Sequence, residues 1–136
     1  MSEASALFDL LYVSEMRAPD AAEVGRICIQ SRANNLRDSI SGLLVFDGQA
    51  FCQYVEGPAP RIADLRGRLE RDPRHRAMRI LQFGRVKERR FASWRLGYAY
   101  SADPAAIARL GAGSDADAVA AFERWVPGLS PTDEGL

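Results

Sequence analysis

Ile40 to Glu56 reads ISGLLVFDGQAFCQYVE, two apolar runs divided by Asp47-Gly48. Asp-Gly tolerates the positive φ of a tight hairpin turn, and each run has the length of a strand. The segment therefore predicts a β-hairpin with strands Ile40–Phe46 and Ala50–Glu56. Upstream, Leu7–Ser14 (LFDLLYVS) is apolar enough for a strand in mid-sheet. Between them Pro19-Asp20 opens a helix, with Asp20 as cap and Glu23 three residues on as in a capping box. Val24, Ile27, Cys28 and Ser31 keep the helical period.

Downstream, Gly57-Pro58 breaks the third strand and Pro60–Arg71 forms a second helix with Ile62, Leu65 and Leu69 on its apolar face. Asp72-Pro73 stops it. Met78–Val86 predicts a fourth strand and Trp94–Tyr100 a fifth. The order βαββαββ is that of an α+β, ferredoxin-like sandwich with two helices on one face of a mixed sheet. Asp103-Pro104 caps a short helix, and Asp115–Val126 forms another with Val119, Phe122 and Trp125 on one side. These C-terminal helices would cover the other sheet face. Residues 1–100 are thus expected to be the main domain, and 101–136 a helical extension packed on the sheet.

The 136 residues suit one domain. Formal charge is zero, which argues against a nucleic-acid binder, whose affinity rests on basic surface. Arg far outnumbers Lys; guanidinium suits bidentate contacts to carbonyls, carboxylates or phosphates, though genome bias gives the same composition. The first residues lack a cationic leader, and no apolar run approaches the roughly 20 residues that span a bilayer. A soluble, cytoplasmic protein without a membrane partner is expected. Cys28 and Cys52 have no metal-ligand spacing and read as buried reduced thiols. His75 is the only histidine, a poor start for hydrolytic catalysis.

Polar residues interrupt the core pattern. Ser31 and Asn35 continue the stripe of Val24 and Cys28 on the first helix. Asp72 continues that of Ile62, Leu65 and Leu69 on the second, with Arg68 one turn before it. Gln53 shares a strand face with Phe51 and Val55, and Tyr12 shares one with Phe8 and Leu10. Each has a bland reading: an exposed helix end for Ser31 and Asn35, a surface i,i+4 pair for Arg68 and Asp72, a core aromatic for Tyr12. Gln53 resists that reading. A buried polar group without a partner costs about 1–3 kcal/mol, and a heteroaromatic ligand between the helices would satisfy the whole set.

The blocks LLYVS, SRANN, ISGLLVFDGQAFCQYVEG, DPRH and RFASWRLGY, in this order over residues 7 to 100, resemble the BLUF photoreceptor domain. The resemblance implies a short, single-domain blue-light sensor and not an enzyme. It implies a flavin (FAD, with FMN or riboflavin as alternatives) lying between the two helices. Asn35, with Asn34, would bond the pyrimidine edge with Ser31 close by; Arg68 and Asp72 would hold the other polar edge. Arg74 and His75 would lie at the mouth, and Gln53 would stand between Tyr12 and the flavin N5/O4 edge. Trp94 matches the family's mobile strand-five tryptophan. Leu96 stands where the family usually has methionine, which removes a flexible thioether. Ile40-Ser41-Gly42 replaces the usual isoleucine-threonine-glycine, and the connection after Tyr12 is one residue shorter than usual.

Tyr12 and Gln53 suit light-driven proton-coupled electron transfer, because a phenol is readily oxidised and an amide carries both a donor and an acceptor. A sensor without an effector domain signals by association, as a homodimer, a larger ring or with a downstream regulator. Two other classes compete: a light-insensitive ferredoxin-like interaction module, and a small hydrolase of the acylphosphatase kind. The hydrolase needs an anion-cradling loop after the first strand, and VSEMRAPDA has no glycine there.

Overall fold

The computed structural model describes residues 6–17, 21–112 and 115–132. The elements are β1 (Leu7–Met16), α1 (Ala21–Asp38), β2 (Ser41–Phe46), β3 (Ala50–Pro58), α2 (Ala59–Arg71), β4 (His75–Val86), β5 (Gly97–Tyr100), α3 (Ala106–Gly111), α4 (Asp115–Trp125) and a 3₁₀ turn at Val126–Leu129. The strands form one sheet in the order β4-β1-β3-β2-β5. β3 is antiparallel to both β1 and β2, so β1 and β2 run parallel and need α1 as their crossover. β5 joins β2 in parallel. This is the α+β, ferredoxin-like arrangement with a fifth strand at one edge.

Each sheet face has its own helices. α1 and α2 cover one face, packing Val24, Cys28 and Ile62 against Leu10, Tyr12, Leu44, Phe51, Val55 and Leu96. The C-terminal helices cover the other, where Ile107, Val119 and Phe122 meet Leu11, Leu43, Val45, Cys52 and Tyr54. β2 is buried throughout because both its faces are occupied. At the hairpin, Asp47 Oδ1 accepts the Gln49 and Ala50 N–H groups and Gly48 takes φ 101°, which only glycine adopts without strain.

Several boundaries differ from the sequence reading. β3 runs through Gly57 to Pro58 instead of breaking there, because a strand's last residue can lack an N–H at no cost to the ladder. β4 begins at His75, three residues early. Two bulges let it follow β1: Leu11 pairs with Gln82 but Tyr12 with Ile80, and Val13 with Arg79 but Glu15 with Arg76. Ala77 in the second bulge has φ 53°. β5 begins only at Gly97, so Trp94 lies in the turn before it, with its N–H on the Phe91 carbonyl at 3.1 Å. A Cβ on Gly97 would stand 2.2 Å from Leu43 Cδ2 and 2.7 Å from Trp94 Cε3, so the tryptophan ring lies directly over that glycine. α3 starts at Ala106, and Asp103 supports it from outside through Oδ1 to the Ala105 N–H. The expected Asp20 cap lies outside the described residues.

Glu56, at the end of β3, is wholly buried. Its carboxylate accepts the Arg90 N–H at 2.8 Å, the Phe91 N–H at 2.7 Å and the Ser41 hydroxyl at 3.1 Å. It thereby pins the loop between β4 and β5 to the middle of the sheet. Glu56→Gln would oppose an amide N–H₂ to backbone donors and is expected to cost about 1–3 kcal/mol. Urea unfolding monitored by circular dichroism checks this; a midpoint equal to the parent's would show the carboxylate to be dispensable.

Candidate functional site

The β1–β3 ladder sets Tyr12 directly opposite Gln53. Both side chains point to the α1–α2 face, where neither is more than 5% exposed. Tyr12 Oη donates to Gln53 Oε1 at 2.5 Å. Burial raises the Tyr12 phenol far above its ordinary pKa, with the nearby Cys52 sulfur and Asp72 carboxylate adding to the effect. The phenol therefore keeps its proton and offers it to the amide oxygen.

The pair forms the floor of a slot between the helices, about 50 Å³ in volume. Ile27, Leu44, Phe51 and Leu69 make its apolar walls; Ser31, Asp72, Arg74 and His75 join Tyr12 and Gln53 as its polar groups. At the mouth, Arg74 wraps Asp72. Asp72 Oδ1 accepts the Arg74 N–H at 2.9 Å and Nε at 3.0 Å, and Oδ2 accepts Nη2 at 2.7 Å. These bonds hold the Asp72 carboxyl below the usual carboxylate range, against the opposing effect of burial. Arg74 Nη1 also reaches α1, at 3.4 Å from Gln30 Oε1 and 3.8 Å from Glu23 Oε1. One guanidinium thus ties the two helices together across the opening. His75 Nε2 donates to the Leu69 carbonyl at 2.6 Å, closing the end of α2, and its ring centroid lies 6.3 Å from that of Tyr12.

Six of the residues marked in the sequence therefore meet in the slot: Tyr12, Ser31, Gln53, Asp72, Arg74 and His75. The others stand apart. Asn34 is half-buried on α1 outside the lining. Asn35 is buried but turns its amide away, donating from Nδ2 to the Arg95 carbonyl at 2.6 Å. Arg68 does not pair with Asp72; its Nη2 is 3.6 Å from Asp38 Oδ2. Trp94 packs on the opposite sheet face, with the C-terminal helices. Leu96 is wholly buried on the slot side, in the cluster that includes Leu44 and Phe51.

The apolar lining is what the polar pattern did not single out. Ile27 and Leu69 were visible as members of helical stripes, and Phe51 as the neighbour of Gln53 on one strand face. Leu44 carried no such signal, since every residue of β2 is apolar or small. Ser14, whose Oγ is buried without a hydrogen-bond partner among the described residues, does not line the slot and lines a larger cavity instead. That cavity, about 550 Å³, opens between β1, β4 and α3, and none of the marked residues lines it. The smaller slot is the one that contains the dry phenol–amide pair.

Apolar walls with donors and acceptors at the edges suit a flat heteroaromatic ring, and the donor set fits an isoalloxazine. Comparison with known proteins agrees. A model of the BLUF family, described as sensors of blue-light using FAD, matches residues 7–97. The photoactivated adenylate cyclase subunit beta of Euglena longa is 29% identical over 94 residues, 68% of this chain and 11% of its own length. The chain thus spans about a tenth of that relative. Among solved structures, the dark state of BlrB, a BLUF protein, superposes with a TM-score of 0.78 at 29% identity, over 92% of this chain and 98% of that one. Klebsiella pneumoniae BlrP1 with FMN and cyclic diGMP gives 0.61 at 28% identity, over 68% of this chain and 25% of that one. With the slot, the fold and the family match in agreement, this chain belongs to the BLUF family, the blue-light sensors that use FAD.

Proposed function

We propose that this chain converts blue light into a rearranged hydrogen-bond network at Tyr12 and Gln53, and signals it by protein association. The hydrogen bond from Tyr12 Oη to Gln53 Oε1 carries the proposal. When bound, flavin supplies absorption of blue light and an excited-state oxidant that takes an electron from Tyr12 and returns it, leaving no net redox change. Tyr12 holds its proton at Oη on the way in. A phenol that has lost an electron is strongly acidic, and Gln53 Oε1 is the acceptor already in place. As the proton returns, the Gln53 amide can settle rotated or tautomerised, with its donor and acceptor exchanged. Glutamate could not do this, because when ionised it only accepts.

Ser31, Gln53, Asp72, Arg74 and His75 would hold the isoalloxazine that FAD, FMN and riboflavin share. Arg74 has to swing from its bridge to Gln30 and Glu23 to admit a ring, which makes it the entry residue. Asn35 and Asn34 would act from α1, and Arg68 from α2 once detached from Asp38. Residues 1–100 form the sensing unit on this reading, and 101–136 an extension on the opposite sheet face. Switch and not turnover is the role of this chain, which passes its signal to a second copy, a larger ring or a downstream regulator. In longer relatives the matching part is a fraction of the chain, 25% in BlrP1, consistent with a sensor that acts on something outside itself.

Absorption spectra before and after blue light test the reading. Tyr12→Phe and Gln53→Leu should each retain flavin and lose the reversible red shift. A normal shift in either variant would remove that residue from its role. Because burial keeps the phenol protonated, the red shift should persist unchanged through about pH 10, where an ordinary tyrosine titrates. A titration of its amplitude with a midpoint there would show Tyr12 to be solvated.

A further inference from the structure

β5 is the edge strand beyond β2, so among the described residues its outer main-chain groups have no strand beside them. One pair is nevertheless bonded. The Tyr98 N–H donates to the Thr132 carbonyl at 2.8 Å, and the Thr132 N–H donates to the Tyr98 carbonyl at 2.9 Å, an isolated antiparallel bridge. The turn after α4 delivers Thr132 there: Ser130 follows the 3₁₀ segment in the left-handed conformation, φ 53° and ψ 60°, with its N–H on the Pro127 carbonyl. By strand alternation the main-chain groups of Tyr100 point outward like those of Tyr98, and the Tyr100 residue is 56% exposed.

The start of β5 is gripped from the sensing side. Asn35 donates to the Arg95 carbonyl at 2.6 Å, and Arg32 Nε and Nη2 donate to the Leu96 carbonyl at 3.3 and 3.2 Å. The Leu96 side chain packs in one cluster with Leu44, which pairs with Gln53 in the β2–β3 ladder. One short strand of four residues is thus held near its start, by the α1 hydrogen bonds to the carbonyls just before it and by the Thr132 bridge at its second residue. A bare strand edge pairs readily with other chains, so a protein that signals by association has reason to keep this one covered.

We propose that Pro131–Thr132 is a latch on the outer edge of β5, closed in the dark and released when light shifts the strand. The release rests on the blue-light reading above. The bridge has only two main-chain bonds, both on Tyr98, so a small movement of β5 breaks both together.

Amide hydrogen exchange by NMR on the full-length, flavin-loaded protein tests it. In the dark the Tyr98 amide should be protected, and under blue light it should exchange about tenfold faster or more, in step with the red shift. Ending the chain at Ser130, which removes the Thr132 carbonyl that accepts the Tyr98 N–H, should give the fast rate already in the dark; Thr132→Ala, which keeps it, should match the parent. A full red shift with Tyr98 exchange unchanged overturns the release alone. Parent-like dark protection of Tyr98 in the chain that ends at Ser130 overturns the latch itself. Absence of any red shift in flavin-loaded protein overturns the blue-light reading and the release with it.

Discussion

Tyr12 and Gln53 meet because β1 and β3 pair in one register, and everything the site can do follows from that pairing. A slip of one residue would turn every side chain of the strand to the other face. Tyr12 would then point at the C-terminal helices and the phenol–amide bond would be lost. The apolar faces of β1 and β3 hold that register. The Asp47-Gly48 hairpin fixes β2 on the far side of β3, and two bulges let β4 absorb its extra residues against β1. The bulges keep β4 paired on either side of Tyr12 without disturbing β1 itself. Strain is thereby placed on the outer strand, and the strand that carries the phenol stays regular.

The sheet divides the protein into a face that carries the phenol–amide slot and a face covered by the C-terminal helices. On the first, the phenol and amide are dry, and Arg74 closes the mouth by bridging α2's end to α1. On the second, Asp9 accepts the Tyr54 hydroxyl at 2.9 Å, and Glu56 anchors the loop that leads to β5. Trp94 and Leu96 fall on opposite faces although they are two residues apart. Strand alternation would place them together, but β5 has not begun at Trp94, and the turn from Phe91 carries the indole across Gly97. A leucine at 96 therefore fills space beside Leu44, while the tryptophan belongs to the packing of the C-terminal helices.

Much of this was legible in the residues. The hairpin, the two amphipathic helices and the alternation around Gln53 led to the ferredoxin-like sheet, because apolar period and turn chemistry are local properties. The polar interruptions at Tyr12, Ser31, Gln53 and Asp72 marked the slot for the same reason: each broke a pattern its neighbours kept. Arg68 and Asn35 broke the pattern as well, yet their partners are Asp38 and the Arg95 carbonyl. A side chain's choice among several nearby acceptors depends on distances that periodicity does not contain.

Sequence by itself thus determined the fold class, the family and the polar residues that line the slot, since all three depend on residue type at fixed local spacing. Tertiary structure alone decided where β5 starts, which face receives Trp94, how Arg74 spans the slot and that Thr132 returns to the edge of β5. Those features join segments far apart in the chain. They are set by which groups the packing brings within hydrogen-bond reach, and not by any motif the chain carries.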